Sequence, residues 1–150
     1  MADSQHQLEV DFVGGSPLWR GHEDVLAEAL AAAAHYEGKG GIVSVLLGDD
    51  MAIAALNKQF RGKDGPTNVL SFPAPELDPN FFGDIALAAE TIVQEANFQG
   101  KRFEHHAAHL VVHGFLHLLG YDHEQPEQAE AMEARERAIL TSIGIEDPYA

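Results

Sequence analysis

The sequence predicts an α+β fold, a single domain over residues 1–150 in which about five helices pack on a small mixed β-sheet. Three observations lead to this prediction. Short runs of strand length, in which apolar and polar residues alternate or β-branched residues dominate, are interspersed with longer segments of helical periodicity. Apolar residues make up 45% of the 150 residues, which is enough for a buried core. No internal repeat or low-complexity linker divides the chain.

The first half of the chain is predicted to form, in order, a strand over 8–13, a helix over 21–36, a strand over 42–48 and a helix over 51–60. The first strand alternates apolar and polar side chains, and the second is a β-branched run. Strong helix formers and an acidic first turn predict the first helix. Asp49 and Asp50 offer an N-cap that starts the second helix.

The second half is predicted to form a short strand over 69–72, a loop over 73–80, a strand over 83–88 and helices over 89–100, 102–119 and 126–142. Prolines exclude helix and central strand from the loop, and alternation predicts the strand after it. The helix over 102–119 has the longest helical signal and ends before Gly120. Pro126 begins the last helix, whose apolar residues are predicted to face the core and whose glutamates are predicted to face water.

The composition excludes several kinds of site and compartment. The chain has no cysteine, so a disulfide framework, a thiolate zinc site and a cysteine nucleophile are all excluded. Neither a signal peptide nor an apolar run of about 18 residues is present, which predicts a cytoplasmic protein without a membrane partner.

The net charge of -15 disfavours nonspecific attraction to nucleic acid, because one polyanion repels another. A nucleic-acid function therefore requires a localised cationic site. Lys58, Arg61 and Lys63 lie together in the sequence and could form one, and a bound divalent cation would add to it.

Histidine is the residue type that points to chemistry in this chain. Four of the nine histidines follow one another at intervals of four residues: His105, His109, His113 and His117. On a helix such residues lie along one face, where two imidazoles one turn apart can reach the same ion. A third ligand must then come from outside that turn.

His123 is placed to supply the third ligand. Gly120 can take the left-handed conformation that ends a helix, so the chain can turn back and aim His123 at an ion held by His113 and His117. Three neutral nitrogen donors leave a fourth position for water or substrate, which is the arrangement of a catalytic zinc site.

Other interpretations of these residues stay open. Histidines four apart are often ordinary residues of a helix face, and spacing alone permits His105 or His109 to replace His117 as a ligand. Gly114 is informative here, because metalloproteases with a similar spacing place their general base, a glutamate, directly after the first histidine. Because this chain lacks that glutamate, peptide hydrolysis is a poor fit.

The segment HGFLHLLGYDH, residues 113–123, resembles the signature of the bacterial YbeY family of rRNA maturation endoribonucleases. Two upstream segments, FRGKDGPTNVLSFP and FGDIALAAE, resemble the same family in the same order, and the closing IGIEDPYA adds to the likeness. The resemblance covers most of the chain from about Leu46 onward. One position departs from it: Asn68 stands where related sequences commonly carry aspartate, and we expect Asn68 to shape the turn.

The resemblance implies an α+β metalloprotein that binds one Zn²⁺ through His113, His117 and His123. It also implies cleavage of single-stranded RNA, with the 16S rRNA precursor, the ribosomal small subunit and its assembly proteins as partners in rRNA maturation and ribosome quality control. Arg61 matches a family position implicated in activity, and a guanidinium suits the gripping of a phosphate. Ser71 and Asp84 are expected near the cleft without a catalytic role.

Two alternatives to a zinc-dependent endoribonuclease remain from the sequence. One is a metal-dependent protease, supported by the histidine spacing and opposed by Gly114. The other is a ribosome assembly factor that uses zinc for folding and has no catalysis, which fits the acidic charge. Within the nuclease interpretation, both a water molecule and the ribose 2′-hydroxyl fit as the nucleophile.

Overall fold

The chain forms a four-stranded mixed sheet and five α-helices in a computed structural model that describes residues 7–75 and 80–150. The strands are β1 (Leu8–Gly14), β2 (Gly41–Gly48), β3 (Val69–Pro73) and β4 (Phe81–Ala88). The helices are α1 (Glu23–Glu37), α2 (Asp50–Arg61), α3 (Ala89–Gln99), α4 (Phe103–Leu118) and α5 (Pro126–Ser142). One turn of 3-10 helix, Pro17–Trp19, precedes α1.

The sheet has the strand order β1-β2-β4-β3. β1, β2 and β4 run parallel, with Val10 opposite Val43 and Val45 opposite Ile85. β3 pairs antiparallel with β4 and forms one edge of the sheet, with Ser71 opposite Ile85. Helix α1 connects the parallel strands β1 and β2, and α2 and β3 lie in the chain between the parallel strands β2 and β4.

Alternate side chains of the sheet enter two hydrophobic clusters, one on each face. Val43, Val45, Ile85 and Leu87 belong to the larger cluster, which also takes the buried apolar side chains of α1, α3, α4 and α5. The smaller cluster lies on the opposite face, where α2 contributes Ile53. The helix that carries most of the histidines, α4, is therefore held against the sheet by the main core.

Asp49 and Asp50 fix the start of α2 and also tie α2 to α3. The Asp49 side chain accepts a hydrogen bond from the Ala52 backbone N–H at 2.8 Å, as the N-cap prediction requires. The Asp50 carboxylate accepts from both the backbone N–H and the hydroxyl of Thr91, at 3.0 and 2.9 Å. Glu90 accepts in return from the Asp50 backbone N–H. This reciprocal pair sets the position of the helix that ends at Arg61.

The predicted architecture is confirmed, since the helix and strand ends lie within two residues of those expected. Part of the predicted loop over 73–80 lies outside the described residues. One expectation is wrong: Glu136 of α5 does not face water but is fully buried. Its neighbours Met132, Ile139 and Leu140 are buried as predicted.

None of the helices within residues 7–75 and 80–150 combines the length and the apolar character that crossing a membrane requires.

Candidate metal centre

α4 presents His113 and His117 side by side at its C-terminal end. Their Nε2 atoms lie 3.1 Å apart, and their ring centroids 4.6 Å. Two nitrogens bound to one tetrahedral zinc at about 2.0–2.1 Å would be roughly 3.3 Å apart. The spacing of four residues therefore brings the two imidazoles as close as ligands of one ion.

The Nδ1 atom of each ring already has a partner. His113 Nδ1 donates to the Glu136 carboxylate at 2.8 Å, and His117 Nδ1 donates to the Tyr121 carbonyl oxygen at 2.9 Å. In the neutral rings both Nε2 atoms then carry lone pairs, and these face each other with no proton between them. A cation bound by both nitrogens resolves this arrangement, because it supplies the positive charge that the two lone pairs need.

Burial also favours the neutral form of His117 that metal binding needs. Loss of solvent lowers the pKa of His117, and the neighbouring His113 lowers it further. The hydrogen bond to Tyr121 opposes these two effects and is outweighed. The ring is thus ready to offer a lone pair near neutral pH.

The turn after α4 delivers His123 to the same place. Gly120 has a φ of 104°, and the Gly120 and Tyr121 N–H groups donate back to the carbonyls of His117 and Leu116, both at 3.0 Å. The chain then reverses, so that the His123 ring lies 5.0 Å from the His117 ring. One ligand atom from each of His113, His117 and His123 lies within 4.8 Å of the others.

Donor chemistry and spacing together fit a metal ion. Three imidazoles form a set typical of zinc, and the exposed His123 leaves the centre open to solvent on one side. Among residues 7–75 and 80–150, these three histidines are the group of His, Asp and Glu side chains arranged to hold a metal ion.

The other candidate histidines lie elsewhere. His109 Nε2 bonds to Glu136 at 2.7 Å and contacts the Tyr149 hydroxyl at 3.2 Å. His105 lines a separate cavity beside Lys101 and Arg102. The structure therefore does not bring His105 or His109 into the cluster in place of His117.

Glu136 is an anion held inside the protein. Burial raises the pKa of Glu136, but hydrogen bonds from His109, His113 and Tyr149 outweigh this effect and bring the pKa to about 2. The carboxylate therefore stays ionised at neutral pH and accepts from its three partners.

Arg61 lines the same cleft as the three histidines. The cleft has a volume of about 730 Å³, with β3 on one side and the turn from Gly120 to Glu124 on the other. Arg61 is the last residue of α2, and its side chain is exposed. The structure thus brings together all four residues that the sequence selected, although Arg61 is far from the histidines along the chain.

The three other residues that the sequence singled out, Ser71, Asp84 and Asn68, differ in their position relative to the cleft. Ser71 lines the cleft, as expected. Asp84 does not, because it lies on the opposite face in an apolar groove beside Phe60 and Phe72. The Asn68 side-chain amide donates to the Glu95 carboxylate of α3 at 3.0 Å, a contact outside its own turn that the sequence did not predict.

Sequence reasoning missed Glu136, Tyr121 and Tyr149. Glu136 follows Met132 by four residues and precedes Leu140 by four, so it lies on the core face of α5, and this spacing was the available signal. The Tyr121 hydroxyl donates to Glu37 at 2.7 Å, which no local pattern reveals. Tyr149 falls in the IGIEDPYA segment, where the resemblance drew attention without giving a role.

Comparison with known proteins decides the family. The family model described as Endoribonuclease YbeY matches residues 18–144. The chain belongs to the YbeY family. An Endoribonuclease YbeY of Chelativorans sp. (strain BNC1) is 52% identical over 158 residues, covering 98% of this chain and 96% of that protein. Another, of Rhodopseudomonas palustris (strain HaA2), is 50% identical over 157 residues, covering 93% of this chain and 80% of its own length.

A solved structure agrees with the fold. The solution structure of TM1509 from Thermotoga maritima is 31% identical, has a TM-score of 0.57 and covers 91% of both chains. YbeY membership confirms the prediction of an endoribonuclease, which is a hydrolase of the nuclease class and acts on RNA. The YbeY match includes α2, β3 and α4, the elements that build the cleft.

Proposed function

We propose that this YbeY protein is a zinc-dependent endoribonuclease that cuts single-stranded RNA during maturation of small-subunit rRNA and in ribosome quality control. The observation that carries the proposal is the convergence of three imidazoles in the cleft that Arg61 also lines. Residues 1–150 act as one metal-dependent endoribonuclease domain, and the protein works in the cytoplasm.

His113, His117 and His123 hold the ion. Zinc in such a site supplies Lewis-acid polarisation of a phosphoryl oxygen and lowers the pKa of water. The protein's own contribution is to fix the ligands: the hydrogen bonds from His113 to Glu136 and from His117 to Tyr121 keep each Nε2 directed into the cleft.

Arg61 binds the scissile phosphate. Its guanidinium can donate to two phosphate oxygens at once and offset the negative charge that grows during phosphodiester cleavage. Lys58 and Lys63 are exposed on either side of Arg61 along the chain. Arg61 lines the cleft and the two lysines lie within three residues of it along the chain, and in the proposed function this local positive charge, in a protein whose net charge is -15, gives RNA its point of entry.

The proposed partners are the 16S rRNA precursor, the ribosomal small subunit and its assembly proteins. An acidic protein gains little affinity for RNA from its overall charge, so contacts with assembly proteins would bring it to its substrate. This proposal rests on membership of the YbeY family and on the resemblance of its motifs.

The test combines metal analysis with RNA cleavage by purified protein. Wild type should carry one zinc per chain and cut single-stranded RNA in preference to duplex RNA. Arg61→Glu should retain the zinc and lose cleavage by about a hundredfold or more, the effect of removing a charge-stabilising donor. Arg20→Glu, the same change at another exposed arginine, should leave both unchanged.

Other outcomes would favour the alternatives. Casein digestion without RNA cleavage would indicate a protease, and zinc-dependent folding without cleavage would indicate an assembly factor. End-group analysis of the cut RNA identifies the nucleophile, because attack by the 2′-hydroxyl passes through a cyclic phosphate and attack by water gives linear phosphate ends.

A further inference from the structure

Glu136 is a buried carboxylate on a helix whose other glutamates lie at or near the surface. It is fully buried where α5 packs against α4. Burying an isolated carboxylate is costly, so its position requires compensating hydrogen bonds. Oε1 accepts from His109 Nε2 and from the Tyr149 hydroxyl, and Oε2 accepts from His113 Nδ1.

The bond to His113 determines which nitrogen of that ring is free. An ionised carboxylate can only accept, so His113 must carry its proton on Nδ1. Nε2 is then left with a lone pair, and it is Nε2 that faces His117. The same bond fixes the plane of the His113 ring, because Glu136 is enclosed and cannot follow a rotation of the imidazole.

The other carboxylate oxygen, Oε1, accepts from His109 and Tyr149, neither of which is one of the three histidines of the metal centre. Tyr149 is itself anchored: its backbone N–H donates to Asp147, and the Arg137 guanidinium lies 5.2 Å over its ring. Lys101 donates to the Pro148 carbonyl oxygen at 2.7 Å. The segment Asp147–Tyr149 is thus held by Lys101, which precedes α4, by His109 of α4 and by Arg137 of α5.

We propose that Glu136 is a positioning residue of the metal centre: it holds His113 with Nε2 directed at the ion, and Tyr149 and His109 hold Glu136. This inference rests on the proposed metal-binding function of the histidines. It assigns to α5 and the segment after it a part in metal affinity, although neither supplies a ligand.

The decisive variant is Glu136→Gln, with Glu130→Gln as the control at an exposed position of the same helix. Glutamine keeps the volume but removes the negative charge and one of the two acceptor oxygens, so it cannot accept from His113, His109 and Tyr149 as the carboxylate does, and the preference of His113 for the Nδ1–H form is weakened. Zn²⁺ is titrated into metal-free full-length protein against a competing chelator. Glu136→Gln should bind Zn²⁺ ten- to a hundredfold more weakly than wild type, and Glu130→Gln should bind it equally well.

A second readout separates positioning from general stability. Long-range ¹H–¹⁵N spectra of the metal-free protein report which nitrogen of His113 carries the proton. Wild type and Glu130→Gln should show the Nδ1–H form, and Glu136→Gln should show the Nε2–H form or a mixture, with unchanged helical circular dichroism. Tyr149→Phe removes one donor at the protein surface, keeps the fold and should weaken Zn²⁺ binding a few-fold.

The outcomes separate this inference from the proposed function. If wild type binds Zn²⁺, His117→Ala abolishes binding and a folded Glu136→Gln binds as tightly as Glu130→Gln, the positioning role is wrong and the metal site stands. If Glu136→Gln does not fold, Tyr149→Phe decides, and wild-type affinity in that variant overturns the inference. If His117→Ala leaves Zn²⁺ binding intact, both proposals fall.

Discussion

The Ser71 hydroxyl donates a hydrogen bond to the carbonyl oxygen of Gly114 across 3.2 Å, where α4 lies against β3. A methyl group on Gly114 would lie 3.0 Å from Ser71 Oγ and 3.1 Å from Ile85 Cγ2. This position has no space for the glutamate that a metalloprotease places after its first histidine. The missing side chain is what allows the metal-binding helix to approach the wall of the cleft.

Gly114→Glu should therefore destabilise the protein by about 3 kcal/mol or more, because it forces a charged side chain into a packed contact. Gly114→Ala should cost less, since alanine favours the helix by about 1 kcal/mol while crowding Ser71 and Ile85. Urea unfolding of metal-free protein measures both. Ala131→Glu, at an exposed position of α5, is the control, and a Gly114→Glu protein as stable as this control would show that α4 does not pack against β3.

Tyr121 links the turn that holds His117 to the rest of the protein. Its hydroxyl donates to Glu37, and the Arg135 guanidinium lies 5.0 Å over its ring. Tyr121→Phe should lower the free energy of unfolding by about 1–2 kcal/mol, because the largely buried Glu37 carboxylate loses the hydrogen bond from Tyr121 and keeps the one from Arg135. Tyr36→Phe, at a tyrosine that is 49% exposed, should have no effect in the same denaturation experiment. Equal stability of the two variants would contradict the prediction.

His106 should make the stability depend on pH. Burial lowers its pKa, against the opposing hydrogen bond to Glu95. In the unfolded chain His106 takes up a proton at a pKa of about 6.5, and in the folded chain it does so only at lower pH. The contribution of neutral His106 to the free energy of unfolding is therefore fully present above about pH 6.5 and is lost as the pH falls below that value. His106→Gln keeps a donor for Glu95 without this titration. As the pH is lowered from 7 to 5 in metal-free buffer, the free energy of unfolding of His106→Gln should rise relative to that of wild type. A constant difference between the two proteins would show that His106 does not cause the pH dependence.

His123 is the exposed member of the three histidines, so its removal tests metal binding with little effect on packing. His123→Ala should change the stability of the metal-free protein by no more than about 0.5 kcal/mol. It should nevertheless lose most of the rise in Tm that Zn²⁺ gives to wild type, together with RNA cleavage. His35→Ala, at an exposed position of α1, is the control for thermal scans with and without Zn²⁺. A wild-type Zn²⁺ response in His123→Ala would exclude His123 as a ligand.

The strands, helices and histidine cluster were predictable because the signals for them are local. Periodicity is a property of neighbouring residues, and His113, His117 and His123 all lie on one helix or just after it. The positions of Arg61 and Glu136 were not predictable in this way. Arg61 reaches the cleft only because α2 packs on one side of the sheet and ends beside β3, and Glu136 reaches His113 only through the packing of α5 on α4.

Asp84 shows a second limit of sequence reasoning. Successive side chains of its strand point to opposite faces of the sheet, as predicted. Both faces carry apolar clusters, however, so this alternation does not tell which face holds the cleft. Asp84 falls on the face opposite to Ser71, although the two residues lie on paired strands. Glu136 was predicted at the surface because most glutamates are there, and a fully buried carboxylate that accepts hydrogen bonds from three side chains is the exception.

The three histidines occupy a stretch of eleven residues, from 113 to 123. A chelating sequence this short survives denaturation, so the unfolded chain keeps some affinity for the ion. Zinc then shifts the folding equilibrium only by the difference between its binding to the two states. The ion should consequently protect the protein less than its native affinity suggests, and a synthetic peptide of residues 113–123 would measure how much less.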